Sequence, residues 1–173
     1  MTISLYDALV PNWLQILDSV SGLIDKAEDH CGMHGMGPAA LIGTSLRPDM
    51  YPLGYQFKST VTHSIGAIES TRSGRFTPDK SPWSTTFQGL RDGVSSAVAK
   101  LSSIDPAEVE ELACRDVCFE AGTYKAEFTG LNFLLSFSQP NFFFHSTAAY
   151  AILRAEGVAI GKREFLGRMR VRD

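Results

Sequence analysis

Histidine and cysteine are the side chains of this 173-residue sequence best suited to chemistry, and His145 holds the most telling place among them. It closes the run Pro140-Asn141-Phe142-Phe143-Phe144-His145 and leads into Ser146-Thr147-Ala148-Ala149-Tyr150-Ala151-Ile152-Leu153-Arg154. A titratable ring inside so apolar a helix is either held by a structural hydrogen bond or placed for chemistry. On a helical wheel His145 shares its face with Asn141, Ala148, Ala149 and Ile152, while Phe143 and Tyr150 lie on the far side. The alanines leave room beside the imidazole. The phenylalanines disfavour its charged form and should keep it neutral near pH 7. A neutral imidazole serves as a hydrogen-bonded core residue, a general acid or base, or a metal ligand, and the residue alone leaves all three readings open.

Metal binding makes the sharpest demand. A helical zinc or nickel site uses two histidines four apart on one face plus a ligand from another helix. Here position 149 is alanine, and position 141 is asparagine, a poor transition-metal ligand. His63 could join His145 only if a polar helix face turned inward, and a carboxylate such as Glu69 would still be needed. His30, Cys31 and His34 form a second cluster with a C-x-x-H spacing, but no second pair completes it. Cys114 and Cys118, if both lie on one strand, share a face about 13 Å apart, too far for one disulfide or one zinc ion. Asp49 could cap the helix that follows it or present its carboxylate at the mouth of a helical bundle. Neither a glycine-rich nucleotide loop nor a G-x-S-x-G elbow is present.

Residues 4–29 carry apolar side chains at three- and four-residue steps, which predicts a long helix capped by Ser4 with Asp7 and kinked or begun at Pro11. Three glycines and a proline in residues 30–38 are expected to stop it. A short helix over 38–43 and a turn through Pro48 and Pro52 precede a second long helix over 53–72. Its stripe of Phe57, Val61, Ile65 and Ile68 is expected inside, with Gln56, Ser59, His63 and Gly66 turned away. Residues 73–83 read as a loop, and Ser84 as the cap of a third helix over 85–103. Asp105-Pro106 restarts a short helix. Alternation then switches to period two around Glu120-Ala121-Gly122-Thr123, which predicts a hairpin. Such a hairpin is marginal alone and must lie on the helices or pair with another chain. The last long helix runs over 130–156, interrupted by Pro140 and stopped by Gly157. The basic tail from Lys162 to Arg172 reads as a solvated end.

Apolar residues make up 44% of the chain and charged residues 20%, a balance that supports one ordinary domain over 1–173. A net charge of −3 argues against nucleic acid as a partner. No apolar run is long enough to span a membrane, and the first residues lack a secretory pattern, so a cytoplasmic protein is expected.

Arg47-Pro48-Asp49-Met50-Tyr51-Pro52-Leu53 with Gln56 is similar to one signature of an uncharacterised, domain-of-unknown-function branch of the DinB/YfiT-like superfamily. So is the Pro140–His145 run with Ala149-Tyr150-Ala151-Ile152-Leu153-Arg154, Gly157, Ile160-Gly161-Lys162 and Phe165-Leu166-Gly167. The resemblance covers nearly the whole chain. It implies an all-α, up-and-down four-helix bundle, here with short extra helices and a small β-hairpin, and frequently a homodimer. The superfamily includes divalent-metal sites built from one histidine on the second helix and an H-x-x-x-H pair on the last. His63 lies in the matching helix, but Ala149 replaces the second histidine of the pair. The leading expectation is a small organic molecule bound, or transformed without metal or other cofactor, in a pocket between helices. His145 would be its general acid or base, with Asn141, Tyr150, Tyr55, Asp49 and His63 as polar contributors. The alternatives are a metal-dependent hydrolase or thiol transferase, and a dimeric interaction protein with a packed interior.

Overall fold

A computed structural model describes residues 3–172. Helix α1 spans Leu5–His34, and the Ser4 hydroxyl accepts from the Asp7 amide at 3.0 Å. Replacing Ser4 by alanine is expected to cost about 1 kcal/mol in urea unfolding, the usual worth of such a cap. Pro11 lies inside the helix. The Ala8 carbonyl near it accepts from the side-chain amides of Asn12 at 2.7 Å and Gln139 at 3.1 Å. The helix outruns the expected stop: Gly32 is tolerated, and the chain leaves at Gly35, whose φ of 62° is the left-handed cap that glycine adopts without penalty.

Helix α2 is Pro38–Ile42. The expected second long helix is broken at His63-Ser64 into α3, Leu53–Thr62, and α4, Ile65–Ser73. Asp49 does not cap α3; Pro52 holds the cap position, and no side chain bonds there. The expected loop over 73–83 contains a two-residue strand, β1 (Arg75–Phe76), as well as α4's last residue. Helix α5 is Phe87–Ser102, and its cap is Thr86 rather than Ser84: the Thr86 hydroxyl accepts from the Gly89 amide at 3.2 Å. Ser84 instead accepts from the Thr86 amide at 3.1 Å, fixing the turn that enters the helix.

Helix α6, Pro106–Leu112, is capped by Asp105 as expected. The hairpin forms from β2 (Asp116–Ala121) and β3 (Tyr124–Thr129). Cys114 lies outside β2 and is exposed, so the two thiols do not share a strand. β1 pairs parallel to β2, with Phe76 opposite Phe119, making a three-stranded sheet. The hairpin is therefore not alone: Phe119 and Phe128 pack with Phe76, Phe133 and Phe137 against the helices.

The last long element is α7 (Gly130–Asn132), a π-helical segment (Phe133–Ser138) and α8 (Gln139–Ala155). Proline at position 140 has no amide hydrogen, and the wide turn lies directly before it, where an α-helical ladder would fail. The Gln139 amide reaches back five residues to the Leu134 carbonyl. The Asn141 side-chain amide donates to the Phe137 carbonyl at 2.7 Å. The basic tail is not simply solvated. Helix α9, Lys162–Leu166, packs on α1, where Gln15 donates to the Leu166 carbonyl at 2.9 Å.

Four long helical units make the bundle: α1, α3 with α4, α5, and the α7–α8 element. Helix α1 packs on α5 and α8, and α3 also packs on α5 and α8, so α1 and α3 face each other across the bundle. Helix α3 is consequently covered on two sides. Its Phe57 lines a cleft with Leu90 of α5, whereas Gln56 reaches His145 of α8. Trp13, Leu17, Phe57, Phe133 and Phe142 are sealed in the core. Among the described residues, no helix is long and apolar enough to cross a membrane.

Candidate functional site

The site lies where α3 faces α8. Gln56, Ser59, Thr60 and His63 recur at the first, fourth, fifth and eighth positions of one helical face, and all four are buried. This corrects the expectation that Gln56, Ser59 and His63 turn away. A helix packed on two neighbours buries two stripes, and the polar one faces α8.

The hydrogen bonds fix the protonation pattern. The Gln56 side-chain amide donates to the Tyr51 carbonyl at 2.8 Å. A carbonyl can only accept, so the NH2 end of Gln56 lies there and its Oε1 faces His145. The contact between Oε1 and His145 Nδ1 is 2.8 Å, so Nδ1 carries the hydrogen and donates. Nε2 is then a bare lone pair. His63 has a sealed Nδ1 without a partner among the described residues. An orphaned buried N–H is rarer than an under-used acceptor, so the His63 hydrogen sits on Nε2. The two rings are nearly parallel, 11° apart with centroids separated by 5.6 Å.

Burial pushes His63 down to about 3, helped by the charge His145 would carry, and burial alone pushes His145 down to about 4. Both rings are neutral at physiological pH.

A cavity of about 190 Å³ opens beside them. Phe76, Phe119, Phe137, Tyr55 and Pro78 form its apolar walls, and Ser59, Thr62, Asn141, Lys58 and Asp79 supply polar atoms. Lys58 is committed elsewhere: it pairs with Asp79 at 2.9 Å and donates to the Ser81 carbonyl at 2.5 Å. Those bonds draw the segment 79–81 against α3. Trp83 continues the strap over Gly54, where a Cβ would sit 2.3 Å from the indole Cδ1.

Of the residues singled out in the sequence, His145, His63, Asn141 and Tyr55 line this cavity. Tyr55 stacks on Tyr51 with centroids 3.9 Å apart and meets the His145 ring edge-on. Asp49 is exposed on the turn before α3, and Tyr150 packs on Phe165 instead, on the opposite side of α8 from the cavity. Sequence reasoning missed Gln56 as the residue that orients His145, together with the Lys58–Asp79 strap. The i, i+3, i+4, i+7 spacing of Gln56, Ser59, Thr60 and His63 was the available signal.

The metal set implied by the resemblance does not fit these residues. Ala149 stands where a second histidine is required, and the His63 and His145 rings stack rather than converge. Among the described residues, no three His, Cys, Asp or Glu side chains gather as a ligand set; His30 and His34 meet with centroids 4.4 Å apart but recruit no third donor.

Comparison with known proteins agrees with this architecture. A solved structure described as a DinB family member protein from Shewanella denitrificans superposes with a TM-score of 0.83 at 25% identity. The match covers 98% of this chain and 95% of that one. No curated protein matches. A family model described as "Domain of unknown function (DUF1993)" matches residues 5–166. With that match spanning nearly the whole sequence, the chain belongs to the DUF1993 family, a DinB-like family of helical bundles.

Proposed function

We propose that this protein binds a small organic molecule in the cavity between α3 and α8, without a metal. The observation that carries this reading is the His145 ring, locked through Nδ1 to Gln56 so that the Nε2 lone pair is left facing a cavity. Nε2 is not among the side-chain atoms sealed without a partner, so it is open to solvent through the cavity, and a ligand donor would replace that solvent contact. Magnitude separates binding from catalysis. A general base works best with a pKa near the operating pH, whereas His145 at about 4 is a weak base but a dependable neutral acceptor. His145 is therefore first a recognition group, with His63, Asn141 and Tyr55 beside it.

A screen of single-ring fragments, read by the imidazole nitrogen resonances, tests this. Nε2 of His145 should report an unprotonated nitrogen from pH 6 to 8 and shift when a fragment binds. Ser59→Phe, which fills the cavity, should abolish those shifts. A screen in which no fragment moves either ring would defeat the reading. So would a near-stoichiometric transition metal in untagged protein that is lost in His145→Ala.

A further inference from the structure

Two histidines that the cavity does not use stand at the C-terminal end of α1. His30 is 7% exposed, and His34 is exposed in the last helical turn. Four residues apart, they project from one helix face, and their ring centroids lie 4.4 Å apart. A buried imidazole ordinarily spends its nitrogens on hydrogen bonds. Among the described residues neither nitrogen of His30 has a protein partner, and neither is sealed from solvent. The ring is nonetheless held, because a Cβ at Gly157, just past α8, would lie only 3.9 Å from His30 Cε1. Packing thus fixes one ring in advance while its nitrogens stay open beside His34. The last turn of α1 also carries the negative pole of the helix, which favours a cation.

We infer that His30 and His34 chelate one divalent transition-metal ion, copper(II) in preference to zinc(II). A metal about 2.0–2.1 Å from one nitrogen of each ring lies about 3.2 Å from each ring centre. Rings meeting at a right angle about that metal then have centres about 4.5 Å apart, against about 5.2 Å at the tetrahedral angle. The observed 4.4 Å fits the right angle of a tetragonal ion. Copper(II) and nickel(II) take that geometry, and copper binds imidazole more tightly. Among the described residues no third His, Cys, Asp or Glu side chain joins the pair, Cys31 included, so water completes the coordination. Gly157 follows His145 by about 18 Å at the rise of a helix, so this site is separate from the α3–α8 cavity.

Copper(II) and zinc(II) are titrated by calorimetry at pH 7.5 into the full untagged chain carrying Cys114→Ser. That change removes the exposed thiol that copper would oxidise. One copper per chain should bind about tenfold more tightly than zinc, or better. Its electron paramagnetic resonance spectrum should be tetragonal and show nitrogen couplings from two imidazoles. His34→Gln, at an exposed position, should weaken copper by about tenfold or more and leave at most one imidazole coupling, with unfolding of the metal-free protein unchanged. Ser59→Phe, which fills the cavity, should bind copper as the parent does. Copper binding unchanged in His34→Gln, a spectrum with one imidazole or none, or zinc as tight as copper would each overturn the assignment. Loss of copper in Ser59→Phe would move the ion to the cavity and overturn it as well.

Discussion

Lowering the pH from 7 to 4 is expected to remove several kcal/mol of folding stability, more than any single substitution discussed here. Both site histidines have folded-state pKa values below the ordinary 6.5, His63 at about 3 and His145 at about 4. In the unfolded chain each ring takes up a proton near pH 6.5, while in the folded protein it resists doing so. The unfolded state therefore binds more protons throughout that interval, and stability falls as pH falls. The contribution is complete above pH 6.5 and is lost progressively down to pH 4 for His145 and pH 3 for His63. At 1.36 kcal/mol per unit, each ring accounts for a loss on the order of 3 kcal/mol, in a domain whose total is typically about 5–15 kcal/mol. The neighbouring charged pair acts lower: burial alone would raise the Asp79 pKa, but the bonds from Lys58 and Ser81 outweigh it and hold it below the usual carboxylate range. Urea unfolding at pH 7.5, 6, 5 and 4 measures the loss. His63→Phe should flatten the profile between pH 6.5 and 4. A profile that stays level to pH 4.5 would show that the rings are not held neutral.

The second large effect belongs to Gln56. The residue is only 2% exposed, and its side chain joins the carbonyl of exposed Tyr51 to the buried Nδ1 of His145. Gln56→Leu keeps the volume but strands the buried His145 donor, at about 1–3 kcal/mol, so a destabilisation of that size is expected in urea unfolding. The imidazole should also lose its fixed tautomer, and the nitrogen resonances should show the hydrogen divided between Nδ1 and Nε2. In a double-mutant cycle, Gln56→Leu with His145→Phe should cost clearly less than the sum of the two, because the second change removes the stranded donor. Additive costs would mean that the two side chains do not act as a pair.

The elements were largely legible in the sequence, because each rests on a local rule. Ser4, Asp105 and the Gly122 turn act through neighbours a few residues away, and the period of α5 is one stripe on one face. The site was half legible. His145 stood out because a lone titratable ring in an apolar run is conspicuous. His63 was turned the wrong way because helical periodicity identifies stripes, not which stripe is inward, and α3 has two. The choice is made by α8, some ninety residues further along, through the bond between Gln56 and His145. The short β1 strand escaped notice for a related reason: two residues carry no period, and their pairing depends on β2.

The wide turn at Phe133–Ser138 carries a consequence for the evolution and engineering of the chain. Such a turn accommodates about one residue more than an α-helix would over the same rise. Deleting a single residue there, Ser136 for example, would let the segment regularise as an α-helix with both flanking halves still in phase, because the wide turn's extra residue adds little net rotation. Phe133 would stay against Phe76, and Asn141 and His145 would stay against α3. The turn thus absorbs one surplus residue without changing which faces the two halves of the helix present. A one-residue deletion within it should leave the cavity intact, whereas the same deletion in the regular part of α8 would rotate its two sides by about 100° relative to each other.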